Sequence, residues 1–172
     1  MKLDDDDFTL FCLPARQALE RRELDARWRA LQGEVHPDRF AAQGAAAQRL
    51  AMQWAVRVNE AYQRLKSPLK RAAYLCELRG QPIRAEDNTA MPAAFLMQQM
   101  QWREALDEAA DEATVQGLAQ AVAADEQARL RRLQALIDAE QNMAEAAREV
   151  RALMFVERFS QDIHRRLETL ES

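Results

Sequence analysis

Residues 34–40 read EVHPDRF and connect two stretches with helical periodicity. Before this segment, apolar residues recur every three or four positions and predict a helix over about 19–35. After it, a longer apolar stripe predicts a helix over about 45–66. That stripe consists of Ala47, Leu50, Ala51, Trp54, Val58, Ala61, Tyr62 and Leu65. Because Pro37 lacks an amide hydrogen and disfavours helical backbone at the preceding residue, it ends the first helix. The sequence therefore predicts a helical hairpin whose exposed tip carries His36, Pro37 and Asp38.

The composition indicates an all-α protein. Of 172 residues, 48% are apolar and 30% are charged, and only 4 Gly and 5 Pro interrupt the helix-forming residues. No apolar run approaches the roughly 20 residues of a membrane span, and the N-terminus is acidic where a secretory signal is basic. We therefore expect a soluble, cytoplasmic protein without membrane association. With 2 Cys, 2 His and no CxxC pair, no zinc site can be assembled from Cys and His, and we expect no metal and no cofactor.

Prolines and glycines divide the chain into two helical modules. Asp7 is predicted to cap a short first helix, and Pro68 is predicted to begin a fourth helix that Gly80 ends. The following residues contain two prolines and show no periodicity, whereas three long helical patterns come after them. These patterns cover about 92–111, 115–141 and 143–170 and predict a three-helix bundle. The predicted domains are 1–80 and 92–172, joined by a linker over 81–91.

The two modules differ in charge. Residues 8–80 carry 13 basic and 7 acidic side chains, whereas 81–172 carry 10 basic and 17 acidic ones. Opposite net charges indicate different partners for the two modules. The positive module is small and lacks a motif that reads a nucleic-acid groove, so we expect no nucleic-acid binding.

Taken alone, the tripeptide at the tip has a plain explanation, in which Pro37 ends a helix and Asp38 caps the next turn. Its context is more specific, since the second helix of the hairpin contains NEAY (59–62) and the next one PLKRAAY (68–74). This arrangement resembles the J-domain of the DnaJ family over about 8–79. The resemblance implies that the tip and a basic face of the second helix bind the ATP-bound seventy-kilodalton heat-shock chaperone and stimulate its ATPase. The chaperone-binding residues it implies are His36, Pro37, Asp38 and Arg29.

Helical geometry places Arg22 on the same side as Arg29, so we add Arg22 to this group. One departure is that Glu34 and Val35 occupy positions where many J-domains have a basic-aromatic pair. An acid–base enzyme that uses His36 and Asp38 is disfavoured because neither a third catalytic group nor a pocket is evident. We therefore predict no enzymatic activity and no catalytic residue.

The first helix of the predicted bundle has more apolar residues than one core stripe requires. Its core stripe is Phe95, Trp102, Leu106, Ala109 and Ala113, whereas Leu96, Met97 and Met100 point elsewhere and are followed on the same face by Glu104 and Glu108. A neighbouring helix or the other module could cover them. Otherwise they form an exposed apolar patch with a carboxylate rim, which is typical of a protein-binding surface.

The segments AFLMQQMQWREALDE (94–108) and FTLFCLPAR (8–16), with the J-domain, resemble the HscB family of iron–sulfur co-chaperones along essentially the whole chain. The resemblance implies two partners, an HscA-type heat-shock chaperone and an IscU-type iron–sulfur scaffold protein. It also implies a co-chaperone that delivers the scaffold and stimulates the chaperone's ATPase. The scaffold-binding residues it implies are Leu96, Met97, Met100, Gln101, Glu104, Glu108 and Phe155. Gln101 stands where the family has a carboxylate. The alternatives are a J-protein for other clients and a dimerising J-protein.

Overall fold

The computed structural model describes residues 1–87 and 90–171. These residues are all-α, as predicted, and contain no strand. The α-helices are α1 (Asp7–Leu10), α2 (Arg21–Val35), α3 (Ala45–Lys66), α4 (Pro68–Leu78), α5 (Ala93–Glu108), α6 (Glu112–Gln134) and α7 (Met143–Glu171). A 3-10 helix covers Pro37–Gln43 and a π-helical segment covers Ala135–Ala139. Among the described residues, no helix is both long enough and apolar enough to cross a bilayer.

The chain forms two compact units, Met1–Leu75 and Cys76–Ser172. The roles assigned above to 1–80 and 92–172 stay predictions, as does the linker over 81–91, of which residues 88 and 89 lie outside the described part. Within the second unit, the carbonyl of Ile83 accepts a hydrogen bond from buried Arg151 at 2.9 Å.

The first unit is built around α2 and α3, which pack as the predicted hairpin. Trp28 of α2 stacks on Tyr62 of α3 with ring centroids 4.3 Å apart, and the Trp28 indole donates to Asn59 at 3.1 Å. Leu24 of α2 and Val58 and Leu65 of α3 are fully buried within the same unit. One member of the predicted α3 stripe, Leu50, is exposed and does not belong to the buried interface. The stripe predicts burial only where a partner helix faces it, and this position lies near the hairpin tip.

The N-terminal segment corrects a second prediction. The α1 cap is Asp6, whose side chain accepts hydrogen bonds from the Thr9 amide at 3.0 Å and from the Thr9 hydroxyl at 2.7 Å. Asp7 is instead fully buried, with its carboxylate 2.8 Å from Arg57 and 2.7 Å from Arg64. A buried charge requires such partners, which come from α3 and are invisible to local sequence.

The second unit is the predicted three-helix bundle, in which α5 runs parallel to α7 and α6 runs antiparallel to both. Its apolar core consists of Phe95, Leu106, Ala109, Val115, Val122, Ala152, Val156, Phe159 and Ile163. The break between α5 and α6 falls at residues 109–111, because the Asp111 carboxylate accepts a hydrogen bond from the Thr114 amide at 2.7 Å and caps α6. Ala113 therefore belongs to α6, where it is exposed, and its predicted place in the α5 core stripe is wrong.

Candidate functional site

The hairpin tip is a short polar structure held by local hydrogen bonds. Helix α2 ends at Val35, and Pro37 begins the 3-10 helix at the position where a missing amide hydrogen costs nothing. The His36 Nδ1 accepts a hydrogen bond from the Asp38 amide at 3.3 Å. Arg39 donates to the Gly33 carbonyl at 2.9 Å, which ties the 3-10 helix back to the last turn of α2. Both His36 and Asp38 stay exposed, so the tip presents an imidazole beside a carboxylate.

The cap of the 3-10 helix is His36, and the explanation in which Asp38 caps that turn is wrong. The Asp38 Oδ2 lies 3.6 Å from the imidazole Nδ1, beyond hydrogen-bond distance. The Asp38 carboxylate is left exposed for contact with other molecules.

The basic side chains of α2 fall into two groups. Arg21 donates to Asp25 at 2.8 Å and to Tyr62 at 3.1 Å, and Arg27 lies 3.7 Å from Glu23. Arg22 and Arg29 are exposed, and neither forms an ion pair within residues 1–87 or 90–171. These are the two cations of α2 that the sequence assigned to chaperone binding. Glu34, next to the tip, is exposed, whereas Val35 is buried.

The surplus apolar residues of α5 are exposed. Leu96, Met97 and Met100 have 49%, 61% and 71% of their surface accessible, and we call these three residues the apolar face of α5. At about 100° per residue, they occupy an arc of about 100° on one side of the helix. The alternative in which a neighbouring helix covers them is therefore wrong. Exposed apolar side chains grouped in this way are uncommon on a protein without a partner.

A groove of about 1130 Å³ runs between α5 and α7, and we call it the α5–α7 groove. Its lining residues are Met91, Phe95, Leu96, Gln99, Met100, Arg103, Glu104, Asp107, Glu108, Phe155, Arg158, Phe159, Gln161, Asp162 and Arg165. Five of the seven residues that the sequence assigned to scaffold binding therefore meet at one groove. Met97 and Gln101 are exposed on α5 beside the groove but do not line it.

Aromatic packing supports the groove from below. Phe95 contacts Phe155 edge to face, with ring centroids 6.4 Å apart, and Trp102 stacks on Phe159 at 5.8 Å. Phe155 is 38% exposed and lines the groove from the α7 side. Because Phe95 and Phe159 belong to the core, the groove wall is fixed by the same contacts that hold the bundle together.

A half-buried ionic network fixes α5 and α7 to α6 on another side. Arg129 donates to Asp125 at 2.7 Å and to Glu149 at 2.9 Å, and its guanidinium lies 4.9 Å from the centroid of the Phe95 ring. Burial alone would lower the pKa of Arg129, but the hydrogen bonds to the two carboxylates more than offset this and raise it. Arg129 therefore stays charged and holds the aromatic floor of the groove in place.

Sequence reasoning missed the contribution of α7 beyond Phe155. Arg158, Asp162 and Arg165 also line the groove and follow Phe155 at spacings of three, four and three residues. This is the spacing of one helical face, so the signal was present in the sequence. It could not be recognised because charged residues at that spacing are also typical of a solvent-exposed face. Arg103 of α5 crosses the groove and donates to Asp162 at 2.9 Å.

The exposed groups of the two surfaces are of mixed character. The tip places one imidazole and one carboxylate on a turn where both side chains are open to solvent. Among the described residues, no group of three or more His, Cys, Asp or Glu side chains is placed to hold a metal ion. Both surfaces are instead exposed, fixed in shape and of mixed polarity, which suits recognition of other proteins.

Comparison with known proteins agrees with this assignment. Residues 91–164 match the family model described as the HSCB C-terminal oligomerisation domain. The co-chaperone protein HscB homolog of Burkholderia mallei is 53% identical over 174 residues, covering 99% of both chains. That of Burkholderia multivorans is 51% identical over 175 residues, covering 100% of this chain and 99% of the relative.

Solved structures show the same architecture. Chaperone HscB from Vibrio cholerae superposes with a TM-score of 0.84 at 34% identity, covering 96% of this chain and 99% of that one. The crystal structure of human co-chaperone protein HscB gives a TM-score of 0.92 at 24% identity, covering 100% of this chain and 86% of the human one, and shares the fold. Full-length similarity to the bacterial relatives, together with the tip and the groove, places this chain in the HscB family of J-type co-chaperones of iron–sulfur cluster assembly.

Proposed function

We propose that this HscB family member connects two proteins. The hairpin tip and the basic side of α2 bind an HscA-type heat-shock chaperone and stimulate its ATPase. The apolar face of α5 and the α5–α7 groove bind an IscU-type iron–sulfur scaffold protein. The observation that carries the proposal is the exposure of Leu96, Met97 and Met100 beside the carboxylates of Glu104 and Glu108.

The tip supports chaperone binding through its shape. His36 and Asp38 have no role in the core, yet local hydrogen bonds hold them in one arrangement. Little conformational entropy is therefore lost when a partner binds the tip. Arg22 and Arg29 lie seven residues apart, or about 10 Å along α2, and provide a basic strip for an acidic partner surface. The residues implied to bind the chaperone remain His36, Pro37, Asp38, Arg29 and Arg22.

The apolar face of α5 and the groove support scaffold binding through the kinds of side chain that they combine. Methionine side chains are flexible and adapt to an irregular partner surface, and an aromatic floor adds a rigid contact. Carboxylates at the rim contribute to the rate of association and to partner choice more than to affinity. Gln101 replaces a carboxylate at this rim, so we expect slower association than with an acidic residue there.

The two surfaces together explain why one chain carries both. When the scaffold is bound to this protein and the protein is bound to the chaperone, the scaffold's effective concentration at the chaperone rises. Delivery therefore requires no covalent chemistry in this chain, and ATP hydrolysis occurs in the partner.

The decisive experiment is calorimetric titration of an IscU-type scaffold into the wild-type protein and into a triple variant, Leu96→Ala, Met97→Ala and Met100→Ala. We expect one-to-one binding by the wild type and a loss of about 3 kcal/mol in the variant, which is more than a hundredfold in Kd. The matched control is Leu50→Ala, Met52→Ala and Val56→Ala, which removes three exposed apolar side chains from α3. Equal affinity of both triple variants for the scaffold contradicts the proposal.

A second candidate is self-association, because the family model that matches 91–164 is described as an oligomerisation domain. The same apolar face could then contact a second copy. Sedimentation equilibrium separates the two functions: a dimer that the α5 triple variant dissociates, with no affinity for the scaffold, favours self-association. Binding of denatured proteins in preference to the folded scaffold would favour a J-protein for other clients.

A further inference from the structure

The two walls of the α5–α7 groove carry opposite charges. On the α5 side, Glu104, Asp107 and Glu108 are exposed, and the only basic residue of that wall, Arg103, is paired with Asp162 across the groove at 2.9 Å. On the α7 side, Arg158 and Arg165 are exposed. A partner placed across the groove therefore meets carboxylates on one side and guanidinium groups on the other.

Arg158 is the guanidinium of this groove that stays available. Arg103 and Arg165 both approach Asp162, at 2.9 and 3.6 Å. Arg158 forms no ion pair within the described part of the chain, and its guanidinium carbon lies 5.9 Å from the centroid of the Phe155 ring. Stacking on an aromatic ring holds an arginine in position while its N–H groups remain free to donate. Arg158 is thus placed beside the apolar contact surface with its hydrogen-bonding capacity unused.

We propose that Arg158 binds an acidic side chain of the protein partner and so fixes the direction in which that partner lies across the groove. This inference rests on the proposed function of the groove and specifies its partner. Contacts with Leu96, Met97 and Met100 favour burial of an apolar ridge but do not by themselves select its orientation. Opposite charges on the two walls do select the orientation, because a partner bound in the reverse direction would place like charges next to each other. The partner therefore carries an acidic group facing α7 and basic groups facing α5.

The experiment compares Arg158→Glu with Arg131→Glu, which makes the same charge change at an exposed arginine of α6 outside the groove. Calorimetry with the folded IscU-type scaffold is carried out at low and high salt. We expect Arg158→Glu to weaken binding by at least about tenfold at low salt and Arg131→Glu by less than about twofold. Arg158→Lys should recover part of the affinity, and thermal melting of both Arg158 variants should match the wild type because Arg158 is exposed.

Reversal of one acidic residue of the scaffold to lysine should restore binding to Arg158→Glu, and failure of every such reversal contradicts the assignment. Equal effects of Arg158→Glu and Arg131→Glu overturn it while leaving scaffold binding intact. If the wild type does not bind the scaffold, the proposed function fails and this inference fails with it. If Arg158→Glu instead dissociates a dimer and leaves scaffold affinity unchanged, the acidic group belongs to a second copy and the inference is overturned.

Discussion

The hairpin tip and the α5–α7 groove are both exposed, but they are assembled from very different lengths of chain. The tip is closed by a hydrogen bond between Arg39 and Gly33, six residues apart. The groove is closed by Arg103 and Asp162, which are 59 residues apart. The tip therefore depends on local backbone conformation, whereas the groove exists only when the bundle has folded.

This difference determines what a substitution can change. The exposed tip residues contribute nothing to a core, so their replacement can remove recognition without loss of stability. The groove includes Phe95 and Phe159, which belong to the core of the second unit. Substitutions there can affect binding and folding together, and only the outermost groove residues separate the two effects.

The largest expected effect is at the tip. His36→Gln removes the imidazole while keeping a polar side chain, and we expect ATPase stimulation of an HscA-type chaperone to fall to the unstimulated rate. Circular dichroism melting and scaffold affinity should match the wild type, because His36 is exposed and lies in the other compact unit. The measurement is the steady-state ATPase rate of the chaperone with and without scaffold. A variant that stimulates as well as the wild type would contradict the J-domain function of the tip.

The tip was largely predictable from sequence, and the groove only in part. Pro37 acts on its immediate neighbours, so the end of α2 and the exposure of His36 follow from local rules. The apolar face of α5 was predictable because its surplus over one core stripe can be counted along a single helix. The place of Arg158 in the groove was not predictable, since it depends on which face of α7 borders α5.

Two errors have the same physical origin. Asp7 was assigned to a helix cap, but its charge is buried against Arg57 and Arg64, which are 50 and 57 residues away. Leu50 follows the apolar periodicity of α3 but is exposed beside Val35 and Phe40 near the hairpin tip. In both cases burial depends on how other parts of the chain pack against the residue, and periodicity carries no information about that.

The second prediction compares two aspartates of the first unit. Asp7→Asn removes the buried charge that pairs with Arg57 and Arg64, and we expect it to lower the free energy of unfolding by about 2–3 kcal/mol. This is less than the roughly 3–5 kcal/mol of fully buried pairs, because Arg57 and Arg64 keep 19% and 40% of their side-chain surface exposed and can be rehydrated. Asp38→Asn at the exposed tip should leave stability unchanged. Urea unfolding measures the stability of both variants. An equal effect of the two substitutions would contradict the expectation that only the buried carboxylate of Asp7 stabilises the fold.

The third prediction concerns the contribution of α7 to the groove. Phe155→Ala removes a half-exposed ring that packs against Phe95, and we expect scaffold affinity to fall about tenfold, or about 1.4 kcal/mol. Arg148→Ala, an exposed position of α7 outside the groove, is the control and should bind normally. Normal scaffold affinity of Phe155→Ala would restrict the binding surface to α5. The scaffold-binding surface would then be formed by a single continuous segment, as the tip is.

The smallest expected effect compares the two helix caps. His36 caps the 3-10 helix with a hydrogen bond of 3.3 Å, whereas Asp111 caps the long helix α6 at 2.7 Å. We therefore expect Asp111→Ala to lower the melting temperature slightly without reducing partner binding, the reverse of His36→Gln. The hydrogen bond from the Thr114 amide lowers the pKa of the Asp111 carboxyl. A lowered pKa in the folded state contributes stability above the unfolded value of about 4, and this contribution is lost as the pH falls through the folded value.

The difference in melting temperature between wild type and Asp111→Ala should therefore be largest near neutral pH and shrink in acid. Asp111→Ser keeps a capping oxygen that does not titrate, so it should melt near the wild-type temperature at pH 7 and show no such acid loss relative to Asp111→Ala. If the differences in melting temperature among the three proteins stay constant from pH 7 into acid, the charge of Asp111 contributes nothing and the cap acts through its hydrogen bond alone.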